Sequence, residues 1–306
     1  MENLSIRPNS IQAWILASRP KTLSGAAVPV MIGVSQGIVE SAGNIRLIPA
    51  LLCFLFAFIM QVNANFINDY FDYKRGNDGE DRLGPLRACT QGWVTPGAML
   101  RGILITTCLA CLIGLPLIIY GGWMMIAVGA FCVGFCFLYT THLSYIGMGD
   151  LLVLLFFGVV PVTMTCFLVL PEGMQAISFE CLMVSLACGM VIDTLLVVNN
   201  YRDIDNDRKA GKRTLIVFIG SRRGQLLYFF LGVTACLLGG FFLLNGHWLA
   251  AILPILGYLP IHSKTYLEMC RIGKGRELNR VLGMTARNMF VYGILVSLGL
   301  LLEAVL

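Results

Sequence analysis

Charged side chains are scarce in this sequence. Asp, Glu, Lys and Arg make up only 13% of its 306 residues, whereas hydrophobic residues make up 57%. A soluble domain typically has about 25% charged and about 45–50% apolar residues, so the composition excludes a soluble enzyme, a secreted disulfide scaffold and a disordered chain. The phosphate-binding pattern G-x-x-x-x-G-K-[ST] is also missing, which disfavours a nucleoside triphosphatase.

Long apolar runs are what the sequence has instead. They are continuous and do not alternate as the strands of a transmembrane barrel do, and each is long enough to cross a bilayer as a helix. The runs predict an all-α, polytopic membrane protein with one domain over 1–306 and nine transmembrane helices at 23–39, 47–68, 98–119, 122–140, 150–170, 177–200, 225–244, 247–266 and 286–305.

Positive charge is divided unevenly between the two sides that these helices define. The net charge is +5, and with a cytoplasmic N-terminus all 22 lysines and arginines except Arg46 fall on the cytoplasmic side. This asymmetry follows the positive-inside rule. The rule explains the net positive charge without a nucleic-acid partner. It also predicts a multi-pass protein of the cell (inner) membrane whose functional loops face the cytoplasm.

Most of the acidic residues lie in two clusters, each at the predicted cytoplasmic end of a long helix. The first cluster covers 65–72 and continues through 78–81, and the second covers 199–207. Helical spacing places the amides and carboxylates of each cluster on one face. Each helix therefore projects a polar face into the bundle or its mouth.

The two clusters also resemble each other. The segment 68–72 reads Asn-Asp-Tyr-Phe-Asp and the segment 199–203 reads Asn-Asn-Tyr-Arg-Asp, and basic residues with a glycine follow both. Four predicted helices separate the copies, which indicates a weak internal repeat of helices 1–4 against 5–8. Membrane proteins built from such repeats often have their site at the interface between the halves.

Crowded carboxylates repel one another unless a cation lies between them. Hard oxygen ligands suit Mg²⁺, which usually bridges protein carboxylates and substrate phosphates, and flanking Lys and Arg side chains can hold the remaining phosphate charge. An isoprenoid diphosphate, with its tail in lipid and its head at the interface, fits such a site best. The simpler interpretation, solvated helix ends with ion pairs, is weakened by the presence of two matching clusters at the membrane edge.

Two spaced motifs carry a resemblance to a known family. They are Asn68-Asp69-x-x-Asp72 after the second predicted helix and Asp203-x-x-x-Asp207 after the sixth. In both, the sequence resembles the UbiA superfamily of intramembrane prenyltransferases. The further motifs Asp-Arg-Leu-Gly-Pro-Leu-Arg at 81–87 and Gly-Lys-x-Thr-Leu at 211–215 are similar to those of its 1,4-dihydroxy-2-naphthoate polyprenyltransferase branch.

The resemblance implies a UbiA-like helical bundle and a specific reaction. A polyprenyl group would pass from polyprenyl diphosphate to 1,4-dihydroxy-2-naphthoate with loss of CO₂ and diphosphate, which gives demethylmenaquinone in menaquinone biosynthesis. The resemblance implies Mg²⁺ ligands at Asp69, Asp72, Asp78, Asp203 and Asp207. The catalytic groups would be Asp69, Asp72, Asp203, Asp207 and Lys212. Substrate contacts would come from Asn65, Asn68, Lys74, Arg82, Arg87, Tyr139, Tyr145, Asn199, Asn200 and Arg202.

Other interpretations stay open at this point. Another branch of the superfamily would use a benzoate, haem or chlorophyll precursor as acceptor, and a transporter could use the same repeat. A transporter usually has its acidic residues near the midplane, whereas both clusters here fall on one face, which favours the enzyme. Asp193, inside the sixth helix, indicates a buried partner or a pore-facing role, and the 11 cysteines are expected to be small buried side chains.

Overall fold

The structure is a computed structural model that describes residues 6–76 and 82–305, and its regular elements there are all helical. This confirms the all-α class. The helices are α1 (Ile11–Ser18), α2 (Leu23–Glu40), α3 (Leu47–Arg75), α4 (Pro96–Gly121), α5 (Met124–Thr141), α6 (Gly149–Val169), α7 (Phe179–Arg202), α8 (Ile204–Lys209), α9 (Leu215–Ile219), α10 (Ser221–Asn245), α11 (Trp248–Ile272) and α12 (Leu278–Val305).

Eight helices of the described ranges are long and apolar enough to cross a membrane. They are α1 and α2 taken together, α3 to α7, α10 and α12. The remaining predicted span, at 247–266, corresponds to α11, which is 25 residues long but carries His262, Lys264 and Glu268 in its second half. These polar residues lower its mean hydropathy, so the predicted count of nine is approximate, while the multi-span membrane character is confirmed.

Several helices continue beyond the apolar runs that predicted them. The run at 47–68 becomes a helix that ends only at Arg75, where Gly76 adopts a positive φ of 68° and donates its N–H to the last carbonyls. The run at 286–305 becomes a helix that begins at Leu278. Apolar periodicity marks only the part of a helix that lies in lipid or core, so polar helical ends that project beyond the membrane were missed.

The backbones of α6 and α7 come into direct contact at two glycines. A Cβ atom built on Gly158 would lie 2.5 Å from Gly189 Cα, a separation that no larger residue allows. A π-helical turn over Leu154–Val159 accompanies this contact in α6, and π-turns of this kind are frequent near functional sites. The contact fixes α7, which carries the second acidic cluster, against α6.

Candidate functional site

The structure brings the two acidic clusters together at one end of the bundle. Asp207, on the short helix α8, lies within electrostatic range of Asp203 and of Asp72 at the end of α3. Burial is the main reason why the pKa of Asp207 rises to about 6; Lys212 opposes the rise, and Asp203 and Asp72 add to it. Carboxylates from distant parts of the chain therefore share one region, which we call the mouth.

Two arginines neutralise carboxylates at the mouth. Arg87 Nη2 lies 2.7 Å from Asp72 Oδ2. Arg202 binds Asp203 through two parallel hydrogen bonds, from Nε to Oδ1 at 2.9 Å and from Nη2 to Oδ2 at 2.6 Å. Because paired guanidinium groups of this kind also match phosphate oxygens, both arginines are placed where an incoming anion could be bound.

Lys212 and Asp207 are joined through both their side chains and their backbones. Lys212 Nζ lies 3.8 Å from Asp207 Oδ1, and the Lys212 backbone N–H donates to the Asp207 carbonyl at 2.8 Å. Gly211, with a positive φ of 71°, makes the turn that allows this. The second oxygen of Asp207, Oδ2, is buried and accepts no hydrogen bond, so it is available to a ligand.

Asp69 has a different environment from the other predicted metal ligands. Its side chain is only 1% exposed, and its two oxygens accept the backbone N–H groups of Ala88 and Cys89, each at 2.9 Å. Arg19 Nη2 lies 3.7 Å from the same carboxylate. Asp69 thus anchors the loop that carries Arg87 to helix α3, and its predicted place among the metal ligands stays a prediction.

A cavity of about 870 Å³ lies in the bundle, and its lining includes Asn68 and Asn199, which precede the mouth residues Asp72 and Asp203 along the chain. Several predicted substrate-binding residues lie in its lining, namely Asn65, Asn68, Tyr139 and Asn199. Asn65 donates to the Ser18 carbonyl and to Thr22 Oγ1, both at 2.9 Å, and Asn68 accepts a hydrogen bond from Thr140 at 2.5 Å. The rest of the lining is mostly apolar, with side chains such as Val30, Phe56, Leu117, Val133, Phe157 and Leu168.

Some predicted site residues make contacts that the sequence did not predict. Lys74 is exposed to solvent, and Arg82 donates from Nε to a nearby backbone carbonyl at 2.8 Å. The Tyr145 ring lies under the Arg75 guanidinium, 4.5 Å from its carbon, where Arg75 also binds two carbonyls at the end of α5. Asp78 falls outside the described residues.

Arg19 lines the cavity, although the sequence reasoning assigned it no role in the site. It lies between α1 and α2 in the left-handed conformation, with a φ of 51°, and Pro20 follows it. The resulting break turns the chain and leaves Arg19 Nη2 buried without a hydrogen-bond partner near Asp69. The Arg-Pro pair at the start of the first apolar run was the available signal.

Two further carboxylates lie beside the cavity, between α6 and α7. Both oxygens of Asp150 and one oxygen of Asp193 are buried without a hydrogen-bond partner, and the two side chains interact electrostatically. A polar pocket of about 10 Å³ places Asp150 next to Tyr139, Asn200 and Lys212, which is room for a single water molecule. The sequence indicated a buried role for Asp193, and the structure adds Asp150.

A membrane-embedded helical bundle with facing carboxylate clusters above an apolar cavity defines the class of protein. The model of the UbiA prenyltransferase family matches residues 26–294. The chain therefore belongs to the UbiA prenyltransferase family, as its motifs predicted.

Curated relatives are similar over most of the chain. The 1,4-dihydroxy-2-naphthoate octaprenyltransferase of Escherichia coli K12 is 34% identical over 243 residues, 75% of this chain and 73% of that protein. The protein of the same name from Mycobacterium tuberculosis H37Rv is 33% identical over 299 residues, 94% of this chain and 96% of that protein.

Solved structures share the fold at low sequence identity. A UbiA homologue from Aeropyrum pernix K1 matches with a TM-score of 0.66 and 15% identity, over 92% of this chain and 97% of that one. A UbiA homologue from Archaeoglobus fulgidus, bound to GPP and Mg²⁺, matches with a TM-score of 0.62 and 15% identity, over 93% and 99% of the two chains. These likenesses show that the bundle has the UbiA fold.

Proposed function

We propose that this protein transfers a polyprenyl group from polyprenyl diphosphate to 1,4-dihydroxy-2-naphthoate. Diphosphate and CO₂ are released, and because the ring keeps both hydroxyl groups the product is the quinol form, demethylmenaquinol, which a separate oxidation converts to demethylmenaquinone. The observation that carries the proposal is the mouth itself, where carboxylates and cations from α3, the 82–95 loop and the segment after α7 gather above an apolar cavity of about 870 Å³. The names of the relatives support the choice of acceptor.

The carboxylate oxygens at the mouth are suitable ligands for a divalent cation such as Mg²⁺. Asp72, Asp203 and Asp207 interact electrostatically, and the buried Asp207 Oδ2 has no hydrogen-bond partner. Carboxylate oxygens are the ligands that Mg²⁺ prefers. We infer that these three carboxylates hold Mg²⁺, which when bound neutralises charge that develops on the diphosphate leaving group.

The basic residues of the mouth have a second role in this proposal. Arg87, Arg202 and Lys212 each pair with a carboxylate. As cations within reach of the same space, they can bind the phosphate oxygens of the donor and stabilise the departing diphosphate. The exchange of partners keeps each buried charge compensated before and after the donor binds.

The cavity below the mouth accounts for the other half of the reaction. Its apolar lining binds the polyprenyl chain and excludes water, which would otherwise capture the allylic cation formed when the C–O bond breaks. The acceptor ring then forms the new C–C bond at its carboxylate-bearing carbon. The bond to CO₂ breaks, and its electron pair returns to the ring.

We place the acceptor beside Tyr139, where the cavity approaches Asp150. Tyr139 belongs both to the cavity lining and to the small polar pocket that contains Asp150, Asn200 and Lys212. An unpaired buried carboxylate can accept a hydrogen bond from an aromatic hydroxyl group. This region is therefore suited to the polar edge of a dihydroxynaphthoate, while the ring faces apolar side chains.

The proposal also includes an orientation and a domain organisation. We infer that the mouth faces the cytoplasm in the inner membrane, because all lysines and arginines except Arg46 then lie on the cytoplasmic side, as the positive-inside rule requires. The matching clusters further support one domain made of two related halves.

Product analysis tests the proposed function. Membranes containing the protein are supplied with Mg²⁺ and polyprenyl diphosphate, together with 1,4-dihydroxy-2-naphthoate or 4-hydroxybenzoate, and products are identified by mass spectrometry. We expect a product that has gained the prenyl group and lost CO₂ only with the naphthoate, and none with the Asp72→Asn variant. Prenylation of the benzoate alone would contradict the proposed acceptor.

A further inference from the structure

A second group of metal-ligating side chains lies at the end of the bundle opposite the mouth. Glu40 is the last residue of α2, Cys166 lies near the end of α6, and Cys181 lies in the first turn of α7. One carboxylate oxygen and the two sulfur atoms all lie within 4.8 Å of one another. Three helices thus converge on one small volume with three donor atoms.

The carboxylate of Glu40 is oriented by its neighbours. Its Oε1 accepts hydrogen bonds from Ser178 Oγ at 2.5 Å and from Gln36 Nε2 at 2.9 Å. Its Oε2 faces Cys166 Sγ at 3.6 Å. Two donors therefore fix one oxygen while the other faces Cys166 Sγ, and hydrogen bonds of this kind commonly orient a carboxylate whose other oxygen binds a metal.

One spacing in this group matches a tetrahedral site. With Zn–S near 2.3 Å and Zn–O near 2.0–2.2 Å, tetrahedral geometry places sulfur and oxygen ligands about 3.6 Å apart. The Cys166 Sγ to Glu40 Oε2 separation is 3.6 Å. All three ligand atoms lie within 4.8 Å of one another, so side-chain shifts of about 1 Å or less from tetrahedral spacing would bring them onto one small cation.

We propose that Glu40, Cys166 and Cys181 form a structural Zn²⁺ site that ties α2, α6 and α7 together. Thiolate ligands select soft or borderline cations such as Zn²⁺ over Mg²⁺, so the occupant differs from that of the mouth. Water would complete the coordination, and it has access because Glu40 is half-buried while both cysteines are fully buried. The N-terminus of α7 also favours negative charge on Cys181.

Metal content and Co²⁺ spectroscopy test the site. The full-length protein, purified in detergent under reducing conditions, is treated with a chelator and then dialysed against Zn²⁺ or Co²⁺. We expect one tightly bound Zn²⁺ per chain and a thiolate-to-Co²⁺ charge-transfer band in the near ultraviolet. Metal held by carboxylates at the mouth produces no such band, so the two sites are distinguished even in the unaltered protein.

Variants identify the ligands. Cys166→Ser and Cys181→Ser should each lower the intensity of the band by about half or more and lower the Zn²⁺ affinity at least tenfold, and the double variant should abolish the band. Cys188→Ser is the matched control, because Cys188 is equally buried on α7 but its Sγ lies beside the Phe157 carbonyl, 3.9 Å away. This control should keep both the metal and the band.

Three results would overturn the proposal. The first is a chain without bound Zn²⁺ and without the band although its thiols are reduced. The second is a thiol titration without reductant that finds two thiols fewer than the 11 cysteines of the sequence, restored by reduction, which would identify a disulfide instead. The third is equal loss of metal in the Cys188→Ser control.

Discussion

Arg87 Nη2 lies 2.7 Å from Asp72 Oδ2, and both side chains are largely buried, with exposures of 10% and 22%. The pair joins the loop that follows α3 to the last turn of that helix. Because the same loop is anchored on Asp69 through the backbone of Ala88 and Cys89, the position of Arg87 is set independently of its charge partner. The Arg87 side chain is therefore held at the mouth whichever anion it binds.

The paired carboxylates of the mouth should be needed for activity. Asp72→Asn and Asp203→Asn keep the shape of the side chain and remove a negative charge. Loss of a transition-state electrostatic contact typically costs about 3–4 kcal/mol, roughly 10²–10³ in rate, so we expect losses of that size. The measurement is prenyl transfer against Mg²⁺ concentration.

The double variant provides the control for this prediction. When two residues act as one unit, replacing both lowers the activity far less than the sum of the two separate losses. The variant with both Asp72→Asn and Asp203→Asn should therefore be only slightly less active than either single variant. Near-normal activity of a single variant at limiting Mg²⁺ would remove that residue from the metal site.

Lys212 should act on the diphosphate donor rather than on the acceptor. Lys212→Met removes the cation 3.8 Å from Asp207, and we expect the KM for polyprenyl diphosphate to rise about tenfold with little change in the KM for the naphthoate. Lys274→Met is the matched control, because the Lys274 side chain is 80% exposed. Equal effects on both substrates would contradict a role confined to the donor, because Lys212 also borders the small pocket proposed for the acceptor.

The location of the C-terminal end of α12 should show whether α11 crosses the membrane. Nine crossings from a cytoplasmic N-terminus place the C-terminal end of α12 on the outer side. A phosphatase reporter fused after Leu306 should therefore be active outside, and a fluorescent reporter that matures only in the cytoplasm should be dark. The opposite result would mean that α11 does not span the membrane.

The sequence predicted those parts of the site in which the same types of polar residue recur at regular spacing. The clusters at 65–72 and 199–207 were recognisable because carboxylates and amides recur there at helical spacing beside apolar runs. The anchoring of Asp69 by Ala88 and Cys89 could not be predicted, since it depends on how a loop folds back onto a helix. The same holds for the Asp150 and Asp193 pair, which are 43 positions apart and meet only because α6 and α7 pack together.

The close contact of α6 and α7 should be sensitive to a single methyl group. In Gly158→Ala the new Cβ would lie 2.5 Å from Gly189 Cα and 2.7 Å from the Ser185 carbonyl oxygen. Both atoms belong to the backbone and cannot rotate away, so we expect a loss of about 1–3 kcal/mol or more and a lower Tm in detergent. Gly283→Ala is the control, because a Cβ there meets nothing within 4 Å. An unchanged Tm for Gly158→Ala would show that α6 and α7 can move apart without loss of stability.

Asp69→Asn should separate the anchoring role of Asp69 from a role in metal binding. The asparagine oxygen can accept the N–H of Ala88 or of Cys89, but the amide group then faces the other N–H with a donor of its own. An unsatisfied buried backbone donor costs about 1–3 kcal/mol, so we expect a lower Tm and a displaced Arg87. The remaining folded protein should show an unchanged Mg²⁺ requirement for prenyl transfer, in contrast to Asp72→Asn. If the Tm stays normal while the Mg²⁺ requirement rises, Asp69 is a metal ligand, as its motif predicted, and its bonds to the loop are secondary.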